Sequence, residues 1–134
     1  MTLALDTNRY VDLCRGVEET VDLVSTADAV LVPFVVAAEL RAGFACGRRA
    51  VENERVLRRF LQKDGVDVIF ADEQTTFHYA AVYRQLRRQG TPIPTHDLWI
   101  AALVLQHDLV LHSRDRAVDA ALAAQDTVDE DLWR

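Results

Sequence analysis

The stretch Leu3-Ala4-Leu5-Asp6-Thr7-Asn8-Arg9-Tyr10 decides how this chain is read. Residues 2–6 form a short apolar run with the length of a buried strand, and the run stops on an acid. Thr7-Asn8 then turns the chain into a helix that reaches about Arg15. The pattern recurs downstream. Apolar runs at 29–34, 66–71 and 109–112 predict three further strands. The segments between them read as helices: 17–27, with Val17, Val21 and Val24 on one face, then about 35–46, closed by Gly47. An amphipathic helix over 48–63 is expected to turn Val51, Val56, Leu57, Phe60 and Leu61 inward. Asp72 caps a helix to about Gln89 that offers Phe77, Ala80, Ala81 and Leu86 to the core. Gly90-Thr91-Pro92-Ile93-Pro94 is a loop. A helix from Thr95 or His96 to about His107 follows, then one from Asp115 to about Gln125, with 128–133 as a possible edge strand. Strands alternating with helices predict a three-layer α/β/α domain with a central, mainly parallel sheet of four to five strands.

At 134 residues the chain is expected to be a single domain, 1–134, and half of its residues are hydrophobic, enough for a real core. No apolar run approaches the roughly 18 residues of a membrane span, and no secretory signal is expected. Cys14 and Cys46 are too few for a disulfide framework and read as buried reduced thiols, which fits a cytoplasmic protein. The net charge of -6 argues against a generally basic nucleic-acid binder. Against that, every basic residue except Lys63 is Arg, and several cluster at Arg48, Arg49, Arg55, Arg58, Arg59 and at Arg84, Arg87, Arg88. Arg suits bidentate phosphate contacts.

Four acids stand beside buried-looking sequence. Asp6 ends the first apolar run. Glu39 lies in Val35-Val36-Ala37-Ala38-Glu39-Leu40. Asp97 opens Leu98-Trp99-Ile100-Ala101-Ala102-Leu103, and Asp115 follows Leu109-Val110-Leu111. In open α/β sheets, ligands bind outside the carboxyl ends of the strands. Acids converging there repel one another unless a cation holds them, so a divalent-metal site is the leading reading, with phosphate chemistry as its use. Each acid also has a plainer role available. Asp6 and Asp115 could be helix N-caps, and Asp97 a first-turn acid favoured by the helix dipole. Glu39 fits such a role least, because apolar residues surround it and an unpaired buried carboxylate would be costly.

Leu5-Asp6-Thr7-Asn8 after a strand resembles the opening signature of PIN-domain ribonucleases, most compactly the VapC-like toxins of bacterial toxin–antitoxin pairs. Val36-Ala37-Ala38-Glu39-Leu40-Arg41-Ala42-Gly43 resembles that family's helix bearing "AEL..G". Residues Ile93-Pro94-Thr95-His96-Asp97-Leu98-Trp99-Ile100-Ala101-Ala102 resemble its "IP..D..IAA" segment, and Leu111-His112-Ser113-Arg114-Asp115 its closing "L.(T/S).D". Four motifs in order span essentially the whole chain. Two departures stand out. His96 occupies a place where relatives often carry a small polar or acidic residue, and no Phe follows Asp119. The resemblance implies a metal-dependent endoribonuclease using Mg²⁺ or Mn²⁺. Asp6 and Asp97 are then expected as direct ligands, and Asp115 as a ligand direct or through water. Glu39 would bind through water or help activate it. Ser113 and Thr7 offer hydroxyls, and Asn8 is expected to brace the loop. RNA is the implied substrate, and the implied partners are a second copy of the chain and a cognate antitoxin. Helices 35–46 and 48–63 are the expected antitoxin contacts.

A second class of function stays open: a PIN-like module of weak or no activity that binds RNA or protein. RNA binding that is indifferent to Mn²⁺, with no cleavage, would mark it. An Asp-x-Asp phosphatase would need a second Asp where Asn8 stands, and a receiver domain would need adjacent acids and a strand-end Lys. His78, His107 and His112 lack zinc-ligand spacing. His96 reads as a ligand, a proton shuttle or a solvent-facing helix-start residue, and Trp99 as core or dimer packing.

Overall fold

β1 (Thr2–Leu5) is flanked by a strand on each side, and its Leu3, Ala4 and Leu5 are almost wholly buried. A computed structural model describes residues 1–113 and 116–124, apart from the side chains of 116, 117 and 124. After β1 come α1 (Thr7–Cys14), α2 (Glu18–Thr26), β2 (Ala29–Pro33), α3 (Phe34–Cys46), α4 (Ala50–Leu61) and β3 (Val66–Ile69). Then follow α5 (Glu73–Gln89), α6 (Thr95–His107), β4 (Val110–His112) and α7 (Arg116–Ala124). The expected edge strand over 128–133 lies outside the described residues, as does Asp115.

The four described strands form one parallel sheet in the order β3-β2-β1-β4. Leu3 registers with Val30 and Val110, Leu5 with His112, and Val30 with Val66. Parallel strands need crossover connections, and the helices between them supply these. The fold class is therefore α/β, as the alternation predicts.

The chain divides into two compact units. The first, Met1–Phe70 with the return segment from Val110, holds the sheet and α1 to α4. Leu3, Leu5, Val30, Val32, Val36, Leu40 and Leu57 are buried in it. The second, from Ala71 to Leu109 and again beyond Asp115, holds α5, α6 and α7, which pack on one another. Asp72 caps α5 through a reciprocal pair of bonds with Thr75, and Gln106 of α6 donates to the same carboxylate at 2.8 Å. Gly90, with φ of 71°, ends α5 in the left-handed conformation that glycine adopts without a Cβ penalty.

Several side chains face otherwise than the sequence suggests. On α4 the buried stripe runs through Leu57 and Phe60, with Leu61 half-buried. Val51 lies roughly 120° around the helix from Leu57, and Val56 at the edge of the stripe beside Phe60; both are exposed. On α5, Thr75, Val82 and Leu86 share the buried face with Ala81, whereas Phe77 and Ala80 point out. Val17 and Val21 are exposed, and the buried residue of α2 is Thr20. Cys14 and Cys46, at helix C-termini, are exposed thiols rather than buried ones. No described helix is long and apolar enough to cross a membrane.

Candidate functional site

Asp6 follows β1 at its carboxyl end and is 8% exposed. It is the N-cap of α1, and its Oδ1 accepts from the Thr7 backbone N–H at 2.7 Å. Its Oδ2 accepts from Ser113 Oγ at 2.6 Å, and its own N–H donates to the His112 carbonyl at 3.2 Å. The capping role is thus observed, and it leaves the carboxylate at the carboxyl end of β1. Both carboxylate oxygens are oriented, and each retains acceptor capacity.

Glu39 departs from expectation. The buried face of α3 is made by Val36, Ala37 and Leu40, and Glu39 points away from it, exposed. The buried arc of α3 runs from Val36 through Leu40 to Ala37, and Glu39 lies just beyond its edge, about 60° around the helix from Val36. Its carboxylate instead has a specific partner, for Thr7 Oγ1 donates to Glu39 Oε2 at 3.0 Å. Thr7 thus joins two of the acids, with its N–H on Asp6 and its O–H on Glu39. Asn8 sits in the first turn of α1 and is exposed.

Asp97 belongs to the second unit. It stands in the first turn of α6 and is 3% exposed. His96, half-exposed, brings Nε2 within 2.9 Å of Asp97 Oδ1, so it pairs with the acid rather than simply facing solvent. Trp99 packs on Tyr79 with ring centroids 4.6 Å apart. Asp115, the fourth acid expected here, lies outside the described residues.

The first unit thus brings Asp6, Glu39, Thr7 and Ser113 together. Among the described residues, no three His, Cys, Asp or Glu side chains converge as a metal cage. The donors at Asp6 are carboxylate and hydroxyl oxygens, with no thiolate in the set. That chemistry fits a hard cation such as Mg²⁺ or Mn²⁺ rather than zinc.

Sequence reasoning missed a buried polar cluster beside Asp6. Thr20 Oγ1 and His112 Nε2 lie 3.0 Å apart, both buried. Asp12 is 1% exposed and pairs with Arg9, Nη1 to Oδ2 3.4 Å. Arg9 Nε is buried with no hydrogen-bond partner among the described residues. Burial, and then the Arg9 guanidinium, push the His112 pKa below the usual histidine value. The available signal was a histidine inside an apolar run at a strand end. On α4, Glu54 bonds Arg41 at 2.8 Å and Arg58 at 3.2 Å, and Arg49 pairs with Glu52. The Arg41 bond, foremost, holds the Glu54 carboxyl below its ordinary range. Arg48, Arg55 and Arg59 make no ion pair among the described residues.

The family model of the PIN domain matches residues 3–122. Over 119 residues the chain is 30% identical to Ribonuclease VapC1 of Haemophilus influenzae strain R2866, covering 84% of this chain and 87% of that protein. The fold is similar to VapBC-1 from nontypeable Haemophilus influenzae, with a TM-score of 0.80, 27% identity, and 92% and 93% of the two chains covered. It is similar also to VapBC2 from Rickettsia felis, whose structure is of a complex bound to a promoter DNA fragment. There the TM-score is 0.77 at 22% identity, covering 90% and 93%, a likeness of fold.

Proposed function

This chain belongs to the PIN domain family, with VapC ribonucleases among its relatives, and we propose that it is a metal-dependent endoribonuclease, the toxin of a toxin–antitoxin pair. The observation that carries this reading is Asp6: a nearly buried carboxylate at the end of a central strand, with both oxygens oriented by Thr7 and Ser113. Such pre-orientation suits a ligand. Asp6 and Asp97 are the proposed direct ligands, with Asp115 bound directly or through water. Bound Mg²⁺ or Mn²⁺ supplies charge neutralisation at the scissile phosphate and a more acidic water.

The chain's own groups do the rest. Thr7 holds the Glu39 carboxylate, which is exposed and would accept a proton from a water beside it. Ser113 keeps Asp6 Oδ2 in place. His96, paired to Asp97, orients that acid. The substrate is RNA. The partners are a second copy of the chain and an antitoxin that contacts α3 and α4, where Val51 and Val56 are exposed beside Arg48, Arg55 and Arg59. We place the working chain in the cytoplasm, as one domain over 1–134.

The test is cleavage of a mixed RNA pool with Mn²⁺ or Mg²⁺ present and then chelated. Cleavage that EDTA abolishes, and that Asp6→Asn and Asp97→Asn each largely remove, is expected. RNA binding without cleavage under every metal condition would replace the nuclease with a binding module.

A further inference from the structure

The Thr20–His112 pair plays no part in the chemistry proposed above, yet it is built into the wall behind Asp6. Thr20 is wholly buried on α2, and His112 is the last residue of β4. Their side chains meet at 3.0 Å across 92 positions of sequence. A buried hydroxyl and a buried imidazole that satisfy each other hold their two elements in a single arrangement.

β4 needs such a hold. It is only three residues long, and in the described sheet it pairs with β1 alone. Short edge strands have few ladder bonds and open at low cost. What β4 carries at its end matters directly to the site. The His112 carbonyl accepts the Asp6 N–H at 3.2 Å, and the next residue, Ser113, donates to Asp6 Oδ2 at 2.6 Å. Any drift at the end of β4 moves the Ser113 hydroxyl relative to the carboxylate. The chain of contacts therefore runs from α2 through Thr20 and His112 to Ser113 and Asp6, all within the first unit.

We infer that Thr20 and His112 are positioning residues for Asp6, fixing the end of β4 so that Ser113 presents the Asp6 carboxylate to a divalent cation. Neither residue touches the reacting atoms. The inference rests on Asp6 being a ligand, as proposed above. Partners of this outer kind typically alter metal affinity 10–100-fold when removed.

The experiment is a double-variant cycle on the full chain, read as Mn²⁺ affinity by calorimetry. Thr20→Val keeps the branched shape and removes the hydroxyl. It is expected to weaken Mn²⁺ binding about tenfold, and Ser113→Ala to weaken it comparably. The double variant is expected to bind no worse than Ser113→Ala alone, because both changes act through one contact. Thr20→Ser, which retains the hydroxyl, is expected to keep affinity. An unchanged affinity in Thr20→Val, losses that multiply in the double variant, or a Thr20→Ser variant as weak as Thr20→Val would each overturn the inference. Amide hydrogen exchange at Asp6 and Thr7, compared with Leu40 in α3, gives a metal-free readout. Exchange at the first two is expected to quicken selectively in Thr20→Val, and no selective change overturns the inference. If the native chain binds no Mn²⁺, the metal reading fails on its own, and the exchange comparison still decides whether Thr20 positions Asp6.

Discussion

Thr7 donates its hydroxyl to Glu39 Oε2 at 3.0 Å, 32 positions away, while its own N–H is held by Asp6. One small side chain thereby couples the end of a strand to an exposed acid on α3. Because Glu39 is exposed, its charge contributes little to the core. Glu39→Gln is expected to change stability by no more than about 0.5 kcal/mol while RNA cleavage falls. Melting temperature and cleavage rate on that one variant decide it. A destabilised protein whose folded fraction cleaves at the normal rate would remove Glu39 from the site.

Asp6 caps α1 and is also the proposed ligand, so two substitutions separate the roles. Asn is as good an N-cap as Asp, and the Ser113 hydroxyl can rotate to accept from an amide. Asp6→Asn is expected to keep the fold and lose at least about tenfold in cleavage. Asp6→Ala is expected to lose activity and also about 1 kcal/mol of stability with the cap. Circular dichroism melts beside cleavage assays test this. Normal activity in Asp6→Asn would take Asp6 out of the metal set.

The face of α4 is open to a direct check. Leu57 is 0% exposed and Val51 76%. Leu57→Ala is expected to cost about 2–5 kcal/mol through the cavity it leaves. Val51→Ala is expected to stay within about 0.5 kcal/mol. Urea unfolding of the two variants measures both, and equal losses would mean that α4 packs by a different face.

His78 on α5 ties stability to pH. Burial, with the charge of His107 next, lowers its pKa, and Asp72 opposes the shift. The unfolded chain, with an ordinary value near about 6.5, therefore binds the proton more readily than the folded one. The stabilising contribution is present above that value and is lost as pH falls through the lower folded one. His112 shifts the same way. Melting temperature is expected to drop between about pH 7.5 and about pH 5.5, and the slope to be shallower in His78→Gln. An unchanged slope in that variant would contradict the assignment.

Much of the architecture was legible in the residues themselves. Apolar runs of strand length, each followed by turn chemistry and a helical period, mark β1 to β4 and α1 to α6 to within a few residues. Periodicity of this kind is a local property, set by where successive side chains point. The ordered motifs around Asp6, Glu39, Asp97 and Asp115 resemble those of the PIN domain, whose family model matches residues 3–122.

What only the tertiary structure decided is which face of each helix is covered and which distant groups meet. Glu39 looked buried because its sequence neighbours are apolar, yet a helix separates neighbours by about 100° and turns it outward. Val51, Phe77 and Ala80 are exposed for the same reason, each lying off the stripe that its own helix buries. The bonds from Ser113 to Asp6 and between Thr20 and His112 join residues 107 and 92 positions apart. No local pattern encodes such pairs. They exist because parallel pairing brings the end of β4 beside the end of β1, and because a buried polar group must find its partner wherever the packing places one.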